Sequence, residues 1–166
     1  MKRIITILIL SLLPVVAISA RQKQKTPVIQ VLESYKEIKG VRHLDLGGLM
    51  LDYAKPSIRK TPASALIHNL EGVSILMIDD KFPDLQNRFQ TDIAKVLNSS
   101  YTKIAEREQN GAKSHIYIDE AVKETFSELA MVITGDGATM AMVFTGEFNK
   151  KSLEEMSRLS QEEKKQ

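Results

Sequence analysis

The side chains that could do acid–base or metal chemistry are few and stand apart from one another in this sequence. Its three histidines are His43, His68 and His115, and none has another histidine or a cysteine two to four positions away. Metal ligands that lie on one helix or strand recur at such short intervals, so the spacing gives no metal site. We therefore expect no metal ion and no other cofactor.

His115 has the most promising surroundings of the three histidines. It lies in a strand-like segment that follows the turn signal Asn110-Gly111, and in the register of that turn Glu106 stands opposite it. A histidine held by a carboxylate is one ingredient of acid–base catalysis. Such a pair is more often a cross-strand contact on a solvated face of a sheet.

An acidic pair, Asp79-Asp80, follows the nearly all-apolar run at residues 73–78. Ligands often bind at strand ends in open α/β sheets, although an acidic pair before a helix more often serves as its cap and dipole partner. A hydrolase-type enzyme, with a site assembled from Asp79, Glu106 and His115, is therefore the alternative function. The serines add nothing to this alternative, because they lack the glycine–serine–glycine elbow of hydrolases.

The element that organises the rest of the chain is a C-terminal hairpin. Strand-like runs at residues 129–134 and 139–145 flank Asp136-Gly137, which is a two-residue turn signal. This turn predicts the opposed pairs Ile133–Met140, Met131–Met142, Leu129–Phe144, Val132–Ala141 and Ala130–Val143. One face of the hairpin then carries long side chains and the other carries short ones, and such a ribbon needs cover in water.

The best helix signal in the chain follows Asp80, which we expect to cap it. The apolar stripe of this helix consists of Phe82, Leu85, Phe89, Ile93, Val96 and Leu97. We expect this helix to cover the bulky face of the hairpin. If no helix covers the short-side-chain face, that face is an apolar patch that suggests a partner surface. Its residues are Ala130, Val132, Ala141 and Val143.

The remaining elements alternate between helix and strand in the first half of the chain. The patterns predict a helix capped by Thr26 and ended by Gly40, a strand at 41–46, a short helix at 49–54 stopped by Lys55-Pro56, a helix from Thr61-Pro62 to Gly72, strands at 101–108 and 114–120, and a capping box at Ser152–Glu155. Helical segments between the early strands suit parallel or mixed placement, whereas the hairpins require antiparallel pairing. We therefore expect an α+β fold in a single domain: a mixed, largely antiparallel sheet of five or six strands with helices mainly on one face.

The first twenty residues have the three-part pattern of a secretory signal peptide. A basic Lys2-Arg3 start and an apolar run precede small residues, with cleavage expected after Ala20 and with cleavage after Ser19 or an uncleaved anchor as alternatives. We expect a product that is periplasmic or otherwise exported. The expected organisation is a signal peptide at 1–20, a leader at 21–27, the α+β domain at 28–160 and a charged tail at 161–166.

Charge and cysteine content exclude several classes of function. Residues 1–20 hold two cations and no anions, so 21 basic and 21 acidic groups remain without them. No concentrated positive charge for a nucleic acid is then left. The absence of cysteine excludes thiol chemistry, thiolate metal sites and a lipid-bearing cysteine. We expect membrane contact only through an uncleaved signal segment.

Several segments together resemble a known family. They are Val73-Ser-Ile-Leu-Met-Ile-Asp79, His115-Ile-Tyr-Ile118, Glu128-Leu-Ala-Met-Val-Ile133, Phe144-Thr-Gly-Glu-Phe148 and Leu153-Glu-Glu-Met156. Over roughly residues 28–160 the chain resembles the domain-of-unknown-function family 4252, found in exported proteins of Bacteroidetes-type bacteria. The resemblance implies no activity, cofactor or catalytic residue, because the family has none assigned. Many members look like lipoproteins, and this chain departs from them by its lack of cysteine.

These observations favour a binding function. We expect an exported, non-enzymatic module that binds a protein partner or an apolar ligand through a sheet face or an edge strand.

Overall fold

Helices and strands alternate early in the chain, and four consecutive strands follow. The computed structural model describes residues 25–58, 69–109, 111–119, 124–135, 137–151 and 153. The helices are α1 (Pro27–Tyr35), α2 (Leu49–Ile58) and α3 (Pro83–Ser100). The strands are β1 (Val41–Gly47), β2 (Leu70–Asp79), β3 (Thr102–Gln109), β4 (Ala112–Ile118), β5 (Thr125–Thr134) and β6 (Ala138–Asn149).

The six strands form one sheet in the order β1-β2-β6-β5-β4-β3. Each neighbouring pair is antiparallel, which confirms the α+β class and the six-stranded sheet. The expected parallel or mixed placement of β1 and β2 is wrong. Gly72 near the start of β2 lies opposite Gly47 at the end of β1. The helical connection therefore returns the chain to the same end of the sheet, as an antiparallel neighbour requires.

The C-terminal hairpin of β5 and β6 has the predicted register. The five predicted pairs, from Leu129–Phe144 to Ile133–Met140, all occur. Asp136 of the predicted turn lies outside the described residues. Both strands extend beyond the predicted runs, because Phe126 and Phe148 pair again after a register shift next to Glu128. Strand β6 thus lies between β2 and β5 in the middle of the sheet.

Helices α1 and α3 cover the face of the sheet that carries the short side chains of the hairpin. The buried residues of this core are Val28, Leu32, Tyr35, Leu76, Ile78, Phe89, Ile93, Leu97, Ala130, Val132, Ala141 and Val143. The prediction that α3 covers the bulky face is therefore wrong. Large side chains such as Phe89 and Ile93 come from the helix, and small sheet residues leave the volume that these side chains fill at normal packing density.

The opposite face of the sheet has a second apolar cluster at one end. Its buried residues are Leu51, Leu70, Ile118, Phe126, Leu129 and Phe148. Leu51 belongs to α2, which packs against β1 and β2, while Leu153 packs against the same cluster after the end of β6. The cluster anchors α2 and the end of β6 to this face.

Helix α1 begins as its sequence predicts. Thr26 Oγ1 accepts a hydrogen bond from the Ile29 backbone N–H at 3.4 Å, and Pro27 takes the first helical position. Helix α2 continues past the predicted stop at Lys55-Pro56 and ends at Ile58.

Helix α3 does not begin with the predicted cap. Phe82, and not Asp80, is its N-cap residue, and no side chain donates or accepts a capping hydrogen bond there. Instead Gln86 Nε2 donates to the carbonyl groups of Ile78 and Asp79, at 3.3 and 3.1 Å. These bonds tie the first turn of α3 to the end of β2.

Several predicted elements fall on residues that the structure does not describe. They are the signal peptide at 1–20, most of the helix predicted from Thr61-Pro62, and the end of the C-terminal helix with the tail. The last residues of the Thr61-Pro62 helix prediction, 70–72, are described and belong to β2, so that predicted end is wrong.

Candidate functional site

The predicted pairing of His115 with Glu106 is present at the β3–β4 edge of the sheet. The two residues are opposite each other, and His115 Nδ1 lies 3.4 Å from Glu106 Oε2. Glu106 also accepts a hydrogen bond from Lys103 at 2.7 Å, and this bond holds the pKa of the Glu106 carboxyl below its ordinary value. A carboxylate that is shared between a lysine and a histidine on an exposed strand fits a solvated cross-strand contact.

The residues of the alternative hydrolase site do not come together. Asp79 is on β2, while His115 is on β4, three strand positions away, which corresponds to about 14 Å across the sheet. Side-chain alternation also places Asp79 on the opposite face from His115. Asp79 is instead engaged locally: a hydrogen bond shared with Asp80 lowers the pKa of Asp79 and raises that of Asp80, and Arg42 lies 3.9 Å away.

The other histidines give no metal site within the described residues. His43 Nε2 lies 3.5 Å from Asp45 Oδ1, and Asp45 accepts a hydrogen bond from Ser74. His68 lies outside the residues that the structure describes. Among those it does describe, there is no group of three or more histidine, cysteine, aspartate or glutamate side chains placed to hold a metal ion.

The predicted partner surface is not open to a partner. Ala130, Val132, Ala141 and Val143 are exposed by 1, 7, 1 and 0% and lie beneath α1 and α3. The interpretation of these residues as a binding patch requires a face that no helix covers. Helices cover this face, so that interpretation is wrong. These residues form the sheet side of the core, onto which α1 and α3 pack.

The bulky side chains form a different surface on the opposite face, which we call the methionine face. Strand register places one row of apolar residues across all six strands: Leu44, Ile75, Met142, Met131, Ile116 and Ala105. The next row contains Met77, Met140 and Ile133 and has an arginine at each end, Arg42 on β1 and Arg107 on β3.

The β1 border of the methionine face carries most of the exposed large apolar side chains. Leu44 is 49% exposed, and α2 adds Leu49, Met50 and Tyr53, of which Tyr53 is 85% exposed. Large apolar side chains that are grouped in this way on a protein surface commonly mark interaction sites. Within the described residues, Ile104 on β3 is the remaining large apolar side chain of comparable exposure.

A cavity of about 430 Å³ lies at the end of the sheet beside the first turns of α1. Two register rows on the helix-covered face contribute to its wall, Asp45–Ser74–Val143 and Gly47–Gly72–Thr145–Glu128. The two glycines have no side chains to fill the space above these strands. Thr26, Ile29 and Glu33, spaced along α1, line it from the helix side.

Glu128 is the most unusual side chain of this cavity. It is 0% exposed, and its Oε1 accepts a hydrogen bond from the Tyr101 hydroxyl at 2.6 Å. Its Oε2 is buried without a hydrogen-bond partner. Burial raises the pKa of the Glu128 carboxyl, while hydrogen bonding by Thr26 and Tyr101 acts in the opposite direction. The Thr26 hydroxyl does not complete a hydrogen bond to Oε2.

Neighbouring groups hold Glu128 in this position. Asp119 Oδ1 accepts hydrogen bonds from the backbone N–H groups of Ser127 and Glu128, both at 3.0 Å. Glu128 was not singled out from the sequence, although a signal exists. It precedes Ala130 and Val132 at strand spacing, and this alternation places a carboxyl on the same inward face.

The fold and its two surfaces define an antiparallel α+β domain with an apolar sheet face and a carboxyl-lined cavity. The family model for a domain of unknown function, DUF4252, matches residues 35–156. The chain therefore belongs to the DUF4252 family. No curated protein and no solved structure matches it.

Proposed function

We propose that this domain is a binding module whose methionine face receives an amphipathic helix of a partner protein. The observation that carries the proposal is the six-residue apolar row from Leu44 to Ala105, which continues at β1 into the exposed side chains of α2. Helices α1 and α3 pack on the other face of the same sheet, so a sheet of this width can receive a helix.

The dimensions and side chains of the methionine face specify the partner. Five strand spacings give the row a length of about 24 Å, which a helix of about 16 residues spans. Unbranched methionine side chains adapt their rotamers to an apolar stripe. Because Arg42 and Arg107 lie at opposite borders, acidic residues beside that stripe would complement the face electrostatically.

The proposal includes location outside the cytoplasm. It rests on the signal-peptide pattern of residues 1–20. In the part of the chain that the structure describes, no helix is long and apolar enough to cross a membrane. N-terminal sequencing of the protein recovered from its native cells tests this step, and we expect the product to begin at Arg21.

A designed peptide tests the binding proposal directly. The probe is an 18-residue helix with leucine on one stripe and glutamate beside it, and its control has the same composition in scrambled order. We expect the striped peptide to protect backbone amides of residues 44–53, 75–77 and 131–142 from hydrogen exchange, and the scrambled peptide to give no protection.

Matched variants locate the binding surface. The double variant Met50→Glu/Tyr53→Glu places two negative charges at the β1 border, while Ile104→Glu places one on an exposed apolar side chain at the opposite edge of the sheet. We expect binding to be lost in the first and retained in the second. Equal binding of both peptides, or equal loss in both variants, would contradict the proposal. So would self-association through this face, measured by sedimentation, without any peptide binding.

A further inference from the structure

Four of the seven methionines of the chain lie together on the methionine face. We call them the methionine cluster: Met77, Met131, Met140 and Met142. Met77 lies opposite Met140 across the β2–β6 pair, and Met142 lies opposite Met131 across the β6–β5 pair. The cluster therefore occupies three adjacent strands in the interior of the sheet.

The side chains of the methionine cluster are accessible to a small ion. Ala141, between Met140 and Met142, is buried beneath α1 and α3, so alternation along β6 points both methionines away from the helices. All four residues of the cluster are partly exposed, and neither apolar cluster of the described residues includes them. The four thioether groups are thus not committed to the core of the fold.

The geometry of the strands lets the sulfur atoms of the cluster converge on one ion. Opposed residues on neighbouring antiparallel strands have Cβ atoms about 5 Å apart, and Met140 and Met142 are separated by about 7 Å along β6. Metal–sulfur bonds of about 2.3 Å place the sulfur atoms of one metal site about 4 Å apart. Methionine side chains are unbranched and have three rotatable bonds, so they can close this difference without moving the backbone.

The chemistry of the thioether sulfur selects the ion. A thioether is a neutral, soft ligand, and soft sulfur ligands select Cu(I). Ca²⁺ and Mg²⁺ require oxygen ligands instead. The chain contains no cysteine, so methionine supplies all of its sulfur ligands. The spacing of histidine and cysteine, from which we expected no metal ion, carries no information on thioether ligands.

Two charged groups border the methionine cluster and offset each other. Arg42 lies opposite Met77, and Asp79 follows Met77 on the same face of β2. Arg42 Nη2 lies 3.9 Å from Asp79 Oδ2, so the guanidinium group has a carboxylate beside it. This border therefore adds no net charge that would repel a monovalent cation.

We propose that the methionine cluster binds one Cu(I) ion through its thioether sulfur atoms. The site does not depend on the proposed binding of a helix, which uses the apolar surface of the same face and needs no sulfur.

The experiment titrates metal ions into the purified protein with isotope-labelled methionine methyl groups and follows the methyl chemical shifts by NMR. The probes are Cu(I), handled without oxygen, and Ag(I), a soft monovalent cation that air does not oxidise. Zn(II) is the comparison ion. We expect Cu(I) and Ag(I) to give shifts that saturate at one ion per chain, at the methyl groups of the cluster and not at Met50. We expect Zn(II) to leave the methyl groups of the cluster unshifted.

Two matched variants each remove one sulfur atom and keep an apolar side chain of similar volume. Met140→Leu changes the cluster, and we expect it to lower the affinity for Cu(I) at least about tenfold, since even the loss of an outer-shell contact has an effect of this size. Met50→Leu changes α2 outside the cluster and should retain the wild-type affinity. Because leucine preserves the apolar surface, both variants should still bind the striped helical peptide.

Several outcomes would overturn the proposal. One is the absence of saturable methyl shifts with both Cu(I) and Ag(I). Others are shifts centred on Met50, or equal Cu(I) affinity in the wild type and in Met140→Leu. If Met140→Leu does not fold, the methyl shifts of the wild type still decide. Loss of metal binding with retained peptide binding would refute this site alone, and the reverse result would refute the proposed function alone.

Discussion

Replacing Tyr101 with phenylalanine tests whether Glu128 is a buried carboxyl that depends on one donor. The change removes only the hydroxyl that donates to Glu128 Oε1 at 2.6 Å. The ring stays, so its packing against the α1–α3 core is preserved. After the change the Tyr101 hydrogen bond to Oε1 is lost, and Oε2 remains without a hydrogen-bond partner.

The expected loss depends on the protonation state of Glu128. A hydrogen bond to a charged group contributes about 2 kcal/mol, and one between neutral groups contributes about 1 kcal/mol. For a domain of this size each kcal/mol lowers the melting temperature by about 3 °C. We therefore expect Tyr101→Phe to lower the free energy of unfolding by about 1 kcal/mol at pH 4, where the raised pKa keeps the carboxyl protonated, and by an amount that grows toward about 2 kcal/mol as the pH rises through the folded pKa of Glu128.

The direction of this pH dependence follows from linkage. Burial raises the pKa of Glu128 above its ordinary value of 4.5 in the folded protein. Its stabilising contribution is thus fully present below pH 4.5 and is lost as the pH rises through the folded pKa. The Tyr101 hydrogen bond lowers that pKa, so its removal raises the pKa further. The destabilisation by Tyr101→Phe must therefore increase as the pH rises above 4.5.

Urea denaturation followed by circular dichroism at several pH values measures the effect, and Tyr35→Phe is the matched control. The Tyr35 hydroxyl donates to Asp92 Oδ2 at 2.7 Å, and this bond lowers the pKa of Asp92 below its ordinary 3.8. Asp92 stays ionised from pH 5 to 8. The Tyr35→Phe variant should therefore lose the same free energy of unfolding throughout that range. A loss in Tyr101→Phe that is equally constant would refute the account of Glu128.

Four further substitutions, one of them a control, test the packing of the fold by chemical denaturation. Phe89→Ala removes a fully buried ring that contacts the Tyr35 ring edge-on, with the two ring centroids 5.1 Å apart. It should lower the free energy of unfolding by about 4 kcal/mol, and a loss under about 2 kcal/mol would mean that α3 packs more loosely than described. Gly146→Ala places a Cβ against the Asn69 carbonyl oxygen and should cost about 2 kcal/mol, whereas Gly47→Ala should be nearly neutral; similar values for both would contradict the close approach. Thr139→Val removes the acceptor for Gln90 Nε2 at 2.7 Å and should cost about 1 kcal/mol; an unchanged free energy of unfolding would contradict the contribution of this hydrogen bond.

The sequence was sufficient to predict the pairing within the C-terminal hairpin and the β3–β4 hairpin. A two-residue turn leaves little freedom in register, so Met131 opposite Met142 and Glu106 opposite His115 followed from the positions of glycine. Connections that contain helices gave no such constraint. The direction of β2 depends on the end of the sheet at which the chain re-enters it after α2. The periodicity of the sequence does not encode that end.

The choice of the covered sheet face also escaped the sequence prediction. The prediction paired the bulky face of the C-terminal hairpin with the bulky apolar stripe of α3, whereas close packing requires large side chains to meet small ones. The stripe of Phe89, Ile93 and Leu97 fills the space over Ala130 and Ala141. Glu128 was missed for a related reason, because a carboxyl on an inward strand position becomes significant only once a helix covers that position.

The position of β6 has a consequence for the biogenesis of the protein. This strand is synthesised last but lies between β2 and β5, where Ile75 and Ala130 each pair with its residues. Until a ribosome has made residues 138–149, the nascent chain can hold only two separate halves of the sheet, each with an unpaired inner edge. Such edges invite aggregation. Completion of the sheet therefore has to wait for residues 138–149, and a carrier that keeps the chain extended until they are available would protect it.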